Sequence, residues 1–191
     1  APGIMDEVKE QVAQFKGERL IAGYHHSVLF HRGWALLGME EFFMATITEP
    51  DKLKALLHRI ADFQVEIAKG YVAAGVEMGW MGDDYGGQTA TLISPAAWRE
   101  FIKPELARIV QVYREAGLLV FLHSDGHLMP IIPDFIEIGF LGLNPVQVMA
   151  NDVAEIGARY KGRLAFWGGI SSQGSLTQGT PEDVRAEAKE R

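Results

Sequence analysis

The side chains able to do chemistry in this 191-residue chain cluster in short polar stretches that directly follow apolar runs. Leu118-Leu119-Val120-Phe121-Leu122 leads into His123-Ser124-Asp125-Gly126. Val76 to Met81 leads into Asp83-Asp84-Tyr85, and Leu20 to Tyr24 leads into His25 and His26. Phe140 to Leu143 precedes Asn144 and Gln147, and Leu164 to Trp167 precedes Gly168, Gly169 and Ser172. An imidazole two positions from a carboxylate, as at His123 and Asp125, suits general acid–base work or a cation site made of hard ligands. Adjacent Asp83 and Asp84 repel each other if buried, unless a cation, a cationic substrate or N–H donors face them. Each cluster taken alone also reads as an ordinary turn, because Gly, Asp, Asn and Ser are turn formers. Their recurrence after successive apolar runs points to a shared site. Asp84, His123 and Asp125 are therefore the candidate catalytic residues. Tyr24, His25, Asp83, Tyr85, Asn144, Gln147 and Ser172 are the candidate substrate contacts. His123 and Asp125 supply two ligands, fewer than the three protein ligands of a catalytic zinc site. No tightly bound metal and no organic cofactor are expected, though Asp83 or Asp84 would complete a set.

The elements that must carry these groups alternate in type. The five apolar residues from Leu118 to Leu122 predict a strand buried on both faces, as in parallel sheets. Between the strands lie helical patterns. One covers Asp6 to Phe15, and one runs from Phe30 to Phe43 with a break near Gly38. Pro50 opens a long helix that Gly75 ends. Ser94-Pro95 caps a helix reaching to Gly117. Further helices are predicted over Leu128 to Ile138, over Val153 to Tyr160, and from the capping-box-like Thr180-Pro181-Glu182-Asp183 onward. Strand–helix alternation repeated about five times implies parallel strands with right-handed crossovers. An open doubly wound sheet and a (β/α)8 barrel both satisfy that pattern. A complete barrel takes roughly 250 residues and eight units. The expectation is an α/β chain forming part of a (β/α)8 TIM barrel: a single domain over 1–191, incomplete at both ends, with its polar clusters at the carboxyl edge of the sheet.

Composition excludes several classes. Hydrophobic residues make up 48% and charged residues 23%, an ordinary globular balance. No apolar run approaches the roughly 20 residues of a membrane span. The start, Ala-Pro-Gly-Ile-Met-Asp-Glu, lacks a signal-peptide layout, so a cytoplasmic protein is expected. The formal charge of −7, with no basic cluster, argues against nucleic acid and leaves a small-molecule substrate. Without cysteine, disulfides and thiolate metal sites are excluded. The open edges of an incomplete barrel invite pairing, so a homo-oligomer is expected.

Several stretches resemble the uroporphyrinogen decarboxylase superfamily: Tyr71-Val72-Ala73-Ala74-Gly75, Asp83-Asp84-Tyr85-Gly86-Gly87, Leu92-Ile93-Ser94-Pro95, Phe101-Ile102-Lys103-Pro104, His123-Ser124-Asp125-Gly126 and Gly168-Gly169-Ile170-Ser171-Ser172-Gln173. Their order and spacing are similar from about Gly23 to the end. The resemblance implies a (β/α)8 barrel whose first third and last units lie outside these residues. It also implies two chemistries. The decarboxylases remove acetate carboxylates from a tetrapyrrole in porphyrin synthesis without metal or cofactor. They use an N-terminal aspartate on the pyrrole N–H groups and arginines on the carboxylates. The related methyltransferases act with corrinoid proteins and hold zinc through a His-x-Cys pair and a further cysteine, activating a thiol. His123 matches that histidine, but Asp125 stands in place of the cysteine. The decarboxylase tyrosine falls near Trp34, and its serine at Asp84. By resemblance the function is that of a decarboxylase (lyase), with this chain inactive alone. The alternatives are a methyltransferase-like member acting on a corrinoid or thiol, and a non-catalytic domain binding a tetrapyrrole or polyanion.

Overall fold

The structure, a computed structural model, describes residues 3–191, and of Ile4 the backbone alone. Residues 1 and 2 of the expected domain lie outside the described part. Five strands form one sheet in sequential order: β1 (Ala22–His26), β2 (Met78–Gly82), β3 (Leu119–His123), β4 (Gly142–Asn144) and β5 (Ala165–Phe166). Every neighbouring pair is parallel. A doubly wound sheet reverses its strand order part-way, and this one does not. The sheet is an open arc of a β/α barrel.

The helices are α1 (Ile4–Phe15), α2 (Phe30–Leu37), α3 (Met39–Thr48), α4 (Pro50–Ala74), α5 (Pro95–Ala97), α6 (Lys103–Glu115), α7 (Ile132–Ile138), α8 (Val153–Tyr160), α9 (Ser175–Gln178) and α10 (Pro181–Glu190). Local chemistry sets several ends. Gly75 closes α4 in the left-handed conformation. The Ser94 side chain accepts from the Ala97 N–H, and Thr180 with Asp183 completes a capping box. Between α5 and α6 the predicted continuous helix widens into a π-turn over Trp98–Ile102. Pro104 lies just beyond it and has no N–H to give to the carbonyl four residues back, which accounts for the widening.

The strands begin one or two residues later than the apolar runs suggest. As a result His25, His26 and His123 lie within strands rather than after them. Along β3 the sheet is covered on one face only. Val120 and Leu122 are fully buried against the helices, whereas Leu119 is 43% exposed on the concave face. Alternation along β3 therefore replaces the expected burial on both faces. An arc of five strands leaves its concave side without the opposing strands that would fill a closed barrel.

This alternation overturns one expected substrate contact. His25 points to the helix side and is 2% exposed. Its Nδ1 lies 2.8 Å from the Gln64 Oε1, and its Nε2 lies 2.6 Å from the Tyr113 hydroxyl. The Gln64 amide N–H donates to the Val28 carbonyl, so its oxygen faces His25 and accepts from Nδ1–H. Nε2 then accepts from Tyr113. Burial holds the His25 pKa below its usual value, with the Gln64 bond acting against it. A histidine with a depressed folded pKa contributes stability that is present above the unfolded pKa of about 6.5 and lost as pH falls through the folded value. Urea unfolding is expected to show stability falling from neutral pH toward about pH 5. His25→Gln, although less stable overall, should show a shallower slope over that window. Equal slopes in the two proteins would remove His25 as the cause.

Candidate functional site

Parallel pairing in register places one row of side chains along the carboxyl edge of the arc. His26 pairs with Gly82, Gly82 with His123, and His123 with Asn144. The chain continues this ladder past the strand ends. The Asp83 N–H donates to the His123 carbonyl, and the Ser124 N–H donates to the Asn144 carbonyl. The residues after β2, β3 and β4 are therefore side by side before any loop conformation is specified.

The two acidic neighbours then part. Asp83 is 2% exposed and turns toward the core. Its carboxylate accepts from the N–H groups of Leu29, Phe30 and His31 at 2.9, 2.7 and 2.8 Å, and from the Tyr85 hydroxyl at 3.1 Å. It serves as the anchor for the start of α2, a helix end that lacks a capping side chain at Leu29. Burial pushes the Asp83 carboxyl up, while these donors favour its charged form. Tyr85 is fully buried among Phe30, Trp98 and Phe135, and its phenol pKa is pushed well up by burial and by Asp83. Neither residue lines an open surface, so both depart from the expected substrate contacts. The N–H donors foreseen for a buried carboxylate exist, but they belong to α2 rather than to a ligand.

Asp84 turns the other way. Its Oδ1 accepts from the Asp125 N–H at 2.9 Å and lies 3.8 Å from the His123 Nε2. The Asp125 Oδ2 lies 3.8 Å from the same nitrogen. One ligand atom from each of Asp84, His123 and Asp125 falls within 4.8 Å of the others. Burial, and then the charge of Asp84, raise the Asp125 pKa, while His123 opposes them. Among the described residues, neither carboxylate is paired with a lysine or arginine. Arg32 donates to the carbonyls of Ser27 and His26.

Close backbone contact holds the two loops together. A Cβ on Gly86 would sit 2.5 Å from the Asp125 carbonyl oxygen, and one on Gly126 would sit 2.2 Å from the Gly86 carbonyl carbon. The His127 N–H donates to the Gly87 carbonyl across the same crossing. Gly126 also has φ of +79°. From below, the Ser124 hydroxyl accepts from the Tyr85 N–H. From the β4 side, the Gln147 Oε1 accepts from the Gly126 N–H, and Asn151 bonds the Gly126 carbonyl and the Leu128 N–H. Asn144 bridges the His123 ring and the Trp167 carbonyl.

The expected residues thus divide. Asp84, His123 and Asp125 converge, and Asn144 and Gln147 brace them. Tyr24 lies on the concave face, 46% exposed and edge-on to Trp80. Ser172 is exposed in the loop after β5 and makes no hydrogen bond to the others among the described residues. A separate cleft of about 500 Å³, between β5, α8 and α10, is lined by Val146, Ile156, Phe166 and Gly168 and includes none of the expected site residues. Sequence reasoning took Gly86 and Gly126 for turn formers and missed their contact. It also passed over Ser124 and Asn151. The only signal for these was their closeness in the chain to His123 and Gln147.

Three acceptors meeting at one half-exposed point form a geometry that a proton or a cation could bridge. The set is one imidazole and two carboxylates, which suits a borderline or hard divalent ion. Of the two aspartates that could complete the set, Asp84 is the one placed beside His123 and Asp125, which makes three candidate ligands.

Comparison with known proteins places the chain by family and by fold. The family described as uroporphyrinogen decarboxylase (URO-D) matches residues 32–191. A methyltransferase from Methanosarcina mazei has a similar solved structure, with a TM-score of 0.81 at 23% sequence identity. The match covers 97% of this chain and 53% of that one, so this chain spans about half the length of that protein. No curated protein matches.

Proposed function

Because the chain belongs to the uroporphyrinogen decarboxylase family, we propose that its carboxyl edge is half of a small-molecule active site in which Asp84, His123 and Asp125 hold a divalent cation. On this reading the chemistry is closer to methyl transfer involving a thiol or corrinoid than to porphyrinogen decarboxylation. The carrying observation is the meeting of two carboxylates with the His123 Nε2, without an arginine or lysine on either carboxylate. A bound cation would lower the pKa of a coordinated thiol or water and so supply a nucleophile at neutral pH. The residues of this chain have separable tasks there. Asp84 and Asp125 supply negative charge, Asp84 also fixes the Asp125 backbone, and His123 supplies a neutral nitrogen ligand. Asp83, Tyr85 and Ser124 keep the two loops in place from within the core.

The decarboxylase reading is supported by the family description. It requires arginines for a substrate with many carboxylates, and Asp84 and Asp125 would repel such a substrate.

The test is titration with Zn²⁺ alone, followed by transfer of a methyl group from methylcobalamin to a small thiol, read from the loss of cobalt–carbon absorbance. Stoichiometric binding is expected. It should weaken by more than about 100-fold, or about 2.8 kcal/mol, in Asp84→Asn and in His123→Ala. A wild-type chain that binds no zinc would overturn the cation reading. Zinc binding unchanged in both variants would overturn the residue assignment.

A further inference from the structure

We infer that Asn144 is a positioning residue that fixes which nitrogen of His123 faces Asp84 and Asp125. An asparagine amide presents an acceptor at one end and donors at the other, and its neighbours decide which way it is turned. Here one neighbour is a backbone carbonyl, which only accepts. The Asn144 Nδ2 lies 3.0 Å from the Trp167 carbonyl oxygen, so the amide must turn its NH2 toward Trp167. Its Oδ1 then faces the His123 Nδ1 at 2.7 Å. An oxygen acceptor at that distance requires a proton on Nδ1. In the neutral ring the proton is then absent from Nε2, the nitrogen 3.8 Å from Asp84 and from Asp125. The relay runs from a fixed carbonyl after β5, through a side chain at the end of β4, to a ring at the end of β3. Parallel register sets its spacing, because His123 and Asn144 are direct partners across β3 and β4.

The consequence is a lone pair held toward the carboxylates before any ligand arrives. A neutral imidazole left to itself distributes its proton between both nitrogens, and a partner on one nitrogen selects the tautomer. An oriented ligand nitrogen whose other N–H is tied to an acceptor is a recurring feature of metal-bound histidines. The inference deepens the cation-site reading, but the tautomer itself does not depend on that reading.

The experiment is nitrogen-15 NMR of the His123 ring in the metal-free chain, at an alkaline pH where the imidazole is neutral. Proton attachment to Nδ1 is expected in the wild type. Asn144→Leu should move the proton to Nε2 or to a mixture. Asn144→Asp, which keeps the acceptor and loses the donor to Trp167, should retain it on Nδ1. With Zn²⁺ as the probe, Asn144→Leu should weaken binding by roughly 10–100-fold. A wild-type ring carrying its proton on Nε2, or an unchanged tautomer in Asn144→Leu, would overturn the assignment. Should Asn144→Leu not fold, Asn144→Ala, which also removes the acceptor at Nδ1, takes its place with the same expected and overturning outcomes. Failure to bind zinc with Nδ1 protonated would count against the cation reading and leave the positioning role standing.

Discussion

Gly126→Ala is expected to destabilise the chain by about 2–5 kcal/mol and to separate Asp125 from Asp84. Two costs add. A residue with a Cβ at φ of +79° carries strain of roughly 1–2 kcal/mol. Forcing that Cβ to within 2.2 Å of the Gly86 carbonyl carbon adds an overpacking cost of roughly 1–3 kcal/mol. The atoms it meets are backbone, so no side chain can swing aside. The loops must move apart, and the hydrogen bond from the Asp125 N–H to Asp84 should lengthen with them. Gly117→Ala is the matched control. Gly117 has φ of +72° with nothing within 4 Å of the added carbon, so it carries the strain without the collision. Urea unfolding of both variants measures the difference, and zinc titration reads the site. Equal losses of stability in the two variants would show that the loop crossing does not constrain the fold.

Asp83→Ala carries the other large effect, placed in the core rather than at the site. It strands the N–H groups of Leu29, Phe30 and His31 and the Tyr85 hydroxyl, each bonded to Asp83 in the folded chain. An unsatisfied buried donor costs about 1–3 kcal/mol. Partial rehydration at the start of α2 would recover some of that, which leaves an expected loss of about 4 kcal/mol or more. That is a large share of the roughly 5–15 kcal/mol that holds a domain together. Asp83→Asn keeps the shape but turns one acceptor oxygen into a donor facing N–H groups, so it should fall between alanine and the wild type. Denaturant midpoints, with fluorescence from the buried Trp98 beside Tyr85, give the order. A loss below about 1 kcal/mol in Asp83→Ala would mean that the carboxylate is not the anchor of α2.

Much of the architecture is legible in the residues themselves. Gly38 separates α2 from α3, Pro50 and Gly75 bound α4, and Thr180 with Asp183 starts α10. These are local effects, in which the side chain or its absence acts on backbone a few residues away. Alternating strands and helices specify parallel pairing, and parallel pairing brings the ends of β2, β3 and β4 to one edge. From that, the gathering of Asp83, Asp84, His123 and Asp125 followed as an expectation, from which Asp83 departs. Tertiary structure alone decided how neighbours with similar chemistry divided. Asp83 and Asp84 are adjacent and identical, yet one is held by the first N–H groups of a distant helix and the other faces an open imidazole. His25 and His26 are likewise adjacent, and strand pleating sends one among the helices and the other to the exposed face. In an extended backbone successive side chains point to opposite sides. A shift of one or two residues in where a strand lies, or knowledge of which face is covered, is long-range information that composition and spacing do not contain. The same holds for Gly86 and Gly126, whose contact joins two loops 40 residues apart through the absence of two side chains.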